Sequence, residues 1–276
     1  MSSNREWAEQ TSPSSDEGTK ASSMPTITTK KILSLALPSL GALIAEPLFT
    51  VIDSTMVGHL GTPQLAGLGV AATVLNTAVG LFIFLAYSTT SLAGRHLGAG
   101  RRDLALRSGV EAMWLAGGFG VVAAVLLALF ASPLLSWLGA DATTLPHALA
   151  YLRASAPGLV GMFVVLAATG TLRGLQDTRT PLVAASAGAA FNAVANWTLM
   201  YPLGLGVAGS GLGTAITQTL MAVFLAWIIV RAARRQGVSL RPSTSGLVGA
   251  AVEGTPLLVR TLALRVALLA TLSAVT

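Results

Sequence analysis

The fold is decided by the stretch from Leu35 to Gly61, which reads LALPSLGALIAEPLFTVIDSTMVGHLG. It is long and apolar enough to cross a bilayer, which takes about 20 residues. Two acids interrupt it, Glu46 and Asp53, and Pro47 follows the first. Seven residues are about two helical turns, so both acids point to one side of the helix. A charged group in hydrocarbon is costly, and such groups usually face the bundle interior and carry function.

The composition of the whole chain is that of a membrane protein. Its 276 residues are 53% hydrophobic and only 10% charged, and the mean hydropathy is +0.71. A soluble domain carries about 25% charged residues. The chain has no cysteine, which excludes disulfides and thiolate metal sites. We therefore predict an all-α integral membrane protein.

The hydrophobic pattern divides the chain into segments. Spanning helices are predicted at 32–57, 65–93, 104–130, 148–172, 181–203 and 209–230. We predict a disordered cytosolic tail at 1–31, a six-helix lobe at 32–230, a cytosolic linker at 231–249 and the start of a seventh helix at 250–276. Both the first and the last segment place a proline before an apolar run. Transporters are commonly built from two such repeats, so we expect this chain to be one lobe of a longer transporter, with a second lobe to follow.

The basic residues predict the orientation of the helices. Fourteen of the seventeen lie in the tail and in alternate connections, such as GRHLGAGRRD, and the other connections have none. Positive charge marks the cytoplasmic face, so the amino terminus is predicted to be cytoplasmic. Dispersed over short loops, these residues do not indicate nucleic-acid binding. Arg153 stands apart near an outer helix end, where it either snorkels to the interface or pairs with a buried acid.

The two acids suggest a protonatable site. A carboxyl in apolar surroundings holds a proton more readily than one in water. Pro47 has no N–H to offer the carbonyl of Leu43 and favours a kink there. Glu46 is the deeper of the two acids. Asp53 is only a few residues from Gly58, so it could instead be an interfacial residue that faces water.

A second polar cluster lies on the fifth and sixth predicted helices. Asn192 and Asn196 are one turn apart and share a face, and the sixth helix adds Thr214 and Thr217. Such groups often only hydrogen-bond helices together, or they line a pocket shared with the acids. Glu111 is explained by an i,i+4 pair with Arg107.

The sequence indicates no enzyme, metal site or organic cofactor. The three histidines have no metal-ligand spacing, and no nucleophile is spaced with a base. GLGVAG, at 204–209, matches a dinucleotide motif, which needs a βαβ unit, whereas this stretch is predicted to be a turn between two spans.

Three stretches resemble the multidrug and toxic compound extrusion (MATE) family, in its DinF-like branch. They are the opening stretch, TGTLRGLQDTRTPL, and NAVANWTLMYPLGLGVAGSGLGTAITQ. The second carries the family's typical turn between the fourth and fifth helices, with Arg173, Gly174, Asp177, Thr178, Arg179, Thr180 and Pro181. The resemblance covers residues 30–276. It implies twelve helices in two lobes, of which this chain holds one and a start.

The resemblance also implies a function and a site. The expected function is export of amphipathic, often cationic compounds across the plasma membrane by alternating access, in exchange for H⁺ or Na⁺. Asp53 matches the family's proton-coupling aspartate, and Asn192 and Thr214 match polar residues near it. Asn196 stands where the family has aspartate. An amide does not take up a proton, so we hypothesise that Glu46 compensates for the missing acid.

Two other functions remain open. A lipid-linked precursor flippase of the same superfamily would need several basic residues for phosphate groups, and within the complete spans only Arg153 lies at any depth. A non-transporting membrane module would use its acids and amides for packing alone.

Overall fold

The computed structural model describes residues 50–243 and a few isolated positions outside them. These positions are Leu40, Ile44, Pro47, Val252, Thr255, Pro256, Val259, Arg260, Thr261 and Ala263. All of them belong to one compact unit, residues 35–276. The predicted tail at 1–31 and most of the segment at 250–276 lie outside the described residues, so those two assignments stay predictions.

Within the described part of the chain, the secondary structure is helical, without strands. The helices are α1 (residues 50–58), α2 (Thr62–Leu81), α3 (Phe84–Gly98), α4 (Arg102–Trp137), α5 (Leu145–Ser155), α6 (Gly158–Gly174), α7 (Arg179–Met200) and α8 (Gly206–Arg235). The prediction of an all-α membrane protein is confirmed.

The helix boundaries follow local chemistry. Pro63 and Pro146 stand in the first turns of α2 and α5, where a missing N–H leaves no helical hydrogen bond unmade. Gly61 precedes α2 with φ 137°, which a residue without a side chain adopts at little cost. Short turns therefore separate long apolar helices, as the sequence predicts.

Two predicted spans are broken in the structure. The fourth, at 148–172, is made of α5 and α6, which meet at 54° around Pro157, a residue that donates no backbone hydrogen bond. The second, at 65–93, divides into α2 and α3 at Phe82, whose ring packs 4.5 Å from that of Phe163. In the described residues four helical stretches are long and apolar enough to cross a membrane, or five with the bent pair.

Helix α6 lies at the centre of the bundle and packs against α3, α4 and α8. Its glycines permit this close approach: a Cβ on Gly161 would lie 2.7 Å from the backbone carbonyl of Gln218, and one on Gly158 would lie 2.7 Å from the Cα of Ala215. Small residues let membrane helices approach closely. Helix α8 also packs against α4, α5 and α7, so four helices surround it.

Arginines are present at some helix ends and absent from others. The last turns of α3, α6 and α8 and the start of α4 carry arginine, and α7 begins with Arg179. The junctions at 59–61, 138–144 and 201–205 contain no Arg or Lys. We call the first set the arginine-rich end of the bundle and the second set the arginine-free end.

Candidate functional site

Asp53 on α1 is enclosed by three hydrogen-bond donors from other helices. The Asn196 Nδ2 of α7 donates to its Oδ1 at 3.1 Å, and the Ser210 hydroxyl of α8 donates to the same oxygen. The Tyr151 hydroxyl of α5 lies 3.4 Å from Oδ2, which is long for such a bond. Asp53 is only 8% exposed. Four separate helices therefore build the surroundings of one carboxylate.

The polar network continues from Asp53 into the bundle through the two asparagines. Asn196 Nδ2 donates to Asn192 Oδ1 at 3.1 Å, and Asn192 Nδ2 lies 3.4 Å from Asn196 Oδ1. The same Asn192 nitrogen lies 3.5 Å from the hydroxyl oxygens of Thr214 and Thr217. Both asparagines are buried. The spacing of one helical turn thus places them in contact, as their shared face predicts.

The network lies near the arginine-free end and reaches toward the middle of the bundle. Ser210 is one turn after the start of α8, and Asn196 is one turn before the end of α7. Thr217 lies two turns beyond Ser210, about 10 Å further along the helix. The arrangement is a column of polar groups that begins near the arginine-free end of the bundle.

No Lys, Arg or His of the described residues lies within salt-bridge distance of the Asp53 carboxyl. Among the described residues the other buried carboxylate is Glu111, and its Oε1 lies 3.3 Å from Nε of Arg107. The i,i+4 interpretation of Glu111 is confirmed by that contact. Its Oε1 also accepts a hydrogen bond from Ser243 at 2.6 Å. Asp53 instead faces neutral donors, an arrangement that a structural ion pair does not explain.

The structure brings together four of the predicted site residues. Asp53, Asn192, Asn196 and Thr214 form one connected network. Pro47 is helical, and its side chain is exposed. Glu46 lies outside the described residues, so its compensating role stays a hypothesis.

Two residues of the network are absent from the sequence-based candidates. Ser210 is the second residue of the predicted span at 209–230, and the glycines of GVAGSGLG around it give no indication of which side of that helix is buried. Tyr151 belongs to a short helix that follows a predicted loop, and the sequence around it does not predict a contact with α1. The sequence indicates only that a serine and a tyrosine lie near the outer ends of predicted spans. Many residues in such positions simply face the membrane interface.

The residues of the predicted signature turn have a structural role. Asp177 precedes α7 and accepts a hydrogen bond from the backbone N–H of Thr180 at 3.0 Å and from its hydroxyl at 2.6 Å. Such bonds satisfy amides that a helix start leaves unpaired. Gln176 adopts φ 64° in the turn. Of the remaining members, Arg173 is half-buried and Arg179 is exposed. Gly174, Thr178 and Pro181 are buried.

The hydrogen-bond partners of Asp53 are two hydroxyls and one amide. Within the described residues no three His, Asp or Glu side chains lie close enough to hold a metal. A hydroxyl both donates and accepts, so Ser210 and Tyr151 can turn to accept a proton held by Asp53. The Nδ2 of Asn196 only donates. Protonation of Asp53 therefore reverses a hydrogen bond to one of these hydroxyls, whereas the amide N–H can still donate to the unprotonated carboxyl oxygen.

Comparison with known proteins gives matches over most of the helical part. The MatE family model matches residues 38–198. The chain is 34% identical over 209 residues to Protein DETOXIFICATION 44, chloroplastic, of Arabidopsis thaliana, covering 71% of this chain and 40% of that protein. It is 29% identical over 214 residues to DNA damage-inducible protein F of Escherichia coli, covering 76% and 46%. It is 30% identical over 223 residues to the probable multidrug resistance protein NorM of Rhizobium meliloti, covering 78% and 47%.

Solved structures share the fold. A MATE crystallised in the bent conformation superposes with a TM-score of 0.78 at 24% identity, covering 87% of this chain and 55% of that one. A MOP superfamily transporter from Pyrococcus furiosus gives 0.76 at 23% identity, with coverage of 87% and 54%. The chain thus spans about half the length of the relatives that it matches.

Proposed function

The chain belongs to the MATE family of membrane transporters, and from that membership we propose that it is one lobe of an exporter of small, often cationic organic compounds. Export is driven by H⁺ moving in the opposite direction, and a second lobe completes the pathway between the two faces of the plasma membrane. Relatives named as multidrug resistance and DNA damage-inducible proteins support this class of substrate. The amino terminus is on the cytoplasmic side, because the arginine-rich end lies there.

One observation carries the proposal: Asp53 is buried among neutral hydrogen-bond donors. A carboxylate in a membrane span is expensive and is kept where protons or ions move. If the group served only to join helices, a neutral amide would make similar bonds without a charge to bury. Asp53 also lies near the end of the bundle that the charge pattern assigns to the outside. It is therefore placed to receive a proton from that side.

H⁺ is favoured over Na⁺ because the site offers one carboxylate whose oxygens already accept bonds. The Asn196 amide and the Ser210 hydroxyl both donate to Oδ1 of Asp53. Hard cations take several oxygen ligands, so a metal ion would have to displace these donors. A proton requires only that a hydroxyl reverse its direction. The amide at Asn196, where the family resemblance implies an acid, leaves the site without a second negative charge that would help to hold a metal.

The proposed cycle couples this reversal to movement of α1. Protonation of Asp53 removes the negative charge from the acceptor of the Asn196 amide, which weakens the hydrogen bond that links α1 and α7. Helix α1 then shifts, and Pro47 is the position where a backbone hydrogen bond is missing and bending is least costly. Because Asp53 is 8% exposed in this conformation, substrate and proton compete by favouring different conformations of the lobe.

The test is transport by the natural protein in proteoliposomes. An imposed pH gradient should drive accumulation of a fluorescent organic cation such as ethidium. Asp53→Asn should abolish gradient-driven uptake, whereas Asp141→Asn, the same change at an exposed loop carboxylate, should leave it intact. Uptake by Asp53→Asn at the parent rate would refute the proposal. Uptake that follows a Na⁺ gradient and ignores the pH gradient would refute its choice of ion.

A further inference from the structure

A groove at the arginine-rich end lies between the start of α4 and the end of α8. It has a volume of about 490 Å³, and its lining includes Arg102 of α4 and Trp227, Arg231 and Arg235 of α8. A second groove of about 330 Å³ shares the last three residues and adds Arg234. Along α8, Trp227 is seventeen residues after Ser210, about 25 Å away. The groove is therefore separate from the Asp53 network.

The groove gathers positive charge without a matching negative charge. In the part of the chain that the structure describes, none of the four arginines that line the two grooves lies within salt-bridge distance of a carboxylate. Asp103, the acid nearest in sequence, is exposed in the first turn of α4. The Arg231 guanidinium lies 5.3 Å from the centroid of the Trp227 ring. Arginines held together in this way attract an anion, and guanidinium groups match phosphate oxygens in geometry.

The surroundings of the groove indicate which phosphate-bearing ligand it takes. On the side of α8 that continues toward the membrane centre, Leu220, Val223 and Phe224 are exposed. Trp227 is 54% exposed, and tryptophan is enriched where hydrocarbon meets headgroups. An apolar surface thus leads directly to a cluster of arginines. An apolar surface next to a cluster of arginines matches a molecule with a long apolar tail and an anionic head.

We propose that the groove binds an anionic phospholipid of the membrane leaflet at the arginine-rich end. Its phosphate contacts Arg231 and Arg235, with Arg102 opposite on α4. One acyl chain runs along the exposed apolar side of α8. The start of α4 adds the positive end of a helix dipole to the same groove. Basic pockets at the cytoplasmic ends of membrane helices bind anionic headgroups by this chemistry.

The experiment measures lipid binding to the purified full chain, freed of lipid in detergent, by native mass spectrometry. Dioleoyl phosphatidylglycerol should bind in preference to dioleoyl phosphatidylcholine, which has the same tails. The double variant Arg231→Gln/Arg235→Gln should lower the affinity for phosphatidylglycerol about thirtyfold, since each arginine near an anionic surface contributes about a fivefold effect. Its affinity for phosphatidylcholine should not change.

The matched control is Arg153→Gln/Arg179→Gln, which removes the same charge from exposed positions outside the groove. It should bind phosphatidylglycerol as the parent does. An equal loss in both double variants would reduce the effect to net charge and overturn the site. An unchanged affinity in Arg231→Gln/Arg235→Gln would overturn it as well.

Two further arms separate the outcomes. Arg231→Lys/Arg235→Lys keeps the charge and should recover most of the binding, which shows that the glutamine variant lost contacts rather than its fold. Excess inorganic phosphate should not displace phosphatidylglycerol, because it has no tail to occupy the apolar side of α8. Complete displacement by phosphate would show that the groove takes a free anion and would overturn the assignment to a lipid.

Discussion

The hydrogen bond from Ser210 to Asp53 gives a prediction that separates a charged site from ordinary helix packing. Ser210 is 0% exposed and donates to Oδ1 of Asp53. We change Ser210→Ala alone, Asp53→Asn alone and both together. The quantity of interest is the coupling free energy, which is the part of the double variant's effect that the single variants do not explain.

The expected magnitude follows from the charge on the acceptor. A hydrogen bond to a charged group contributes about 1.5–3 kcal/mol, and one between neutral groups about 0.5–1.5 kcal/mol. At alkaline pH, where a carboxylate is ionised, Ser210→Ala should therefore destabilise the parent by about 2 kcal/mol. In the Asp53→Asn background the same change should cost about 1 kcal/mol. The coupling is then about 1 kcal/mol.

The assay is equilibrium unfolding in mixed micelles, with increasing fractions of sodium dodecyl sulfate and helix content followed by circular dichroism. Ser108→Ala is the control, because Ser108 is buried but donates only to the carbonyl of Ala105 on its own helix, at 2.9 Å. Its effect should add to that of Asp53→Asn without coupling. A coupling for Ser210 near zero at alkaline pH would refute the assignment of a charged, serine-bound carboxylate.

Two other predictions concern the framework of the site. Gly209→Ala should destabilise the lobe by about 1–3 kcal/mol in the same unfolding assay. The reason is that a Cβ on residue 209 would lie 2.7 Å from the carbonyl carbon of Leu199. An unchanged stability would show that α7 and α8 are not held this close. Bonds from the Thr143 hydroxyl and from Thr144 hold the pKa of Asp141 below its ordinary value. A carboxyl with a lowered pKa stabilises the fold at pH values above its ordinary pKa of about 3.9, and this stabilisation is lost as pH falls through the lowered pKa. Asp141→Ala should therefore be less stable than the parent at pH 7, and the two stabilities should converge at acid pH. A stability difference that stays constant with pH would contradict this.

Much of the architecture is readable from the sequence, because apolar length and arginine placement are strong signals in a membrane protein. The breaks inside spans are less readable. Pro157 marks one break, but its 54° angle depends on how α5 and α6 pack on their neighbours. The break at Phe82 has no proline, and it is accompanied by the packing of that ring on Phe119 and Phe163. Local sequence does not encode such contacts.

The site is only partly predictable for a related reason. Asp53 and Asn196 are polar in apolar surroundings, which marks each of them, but their contact joins positions 143 residues apart. Ser210 stands among glycines at the start of a predicted span, where the sequence does not indicate which side of the helix is buried. Those glycines let α8 lie close to its neighbours, since a Cβ on Gly211 would lie 2.6 Å from the carbonyl oxygen of Tyr151. Only tertiary packing reveals that the serine faces Asp53.

The central claim is that Asp53 exchanges a proton when substrate binds. The most direct measurement is the pH change of a weakly buffered solution of the purified natural protein when an organic cation such as ethidium is added. We expect release of about one proton per bound cation, since the site holds one carboxylate without a cationic partner. Asp53→Asn should bind the cation and release none. Equal release by the parent and by Asp53→Asn would contradict the account.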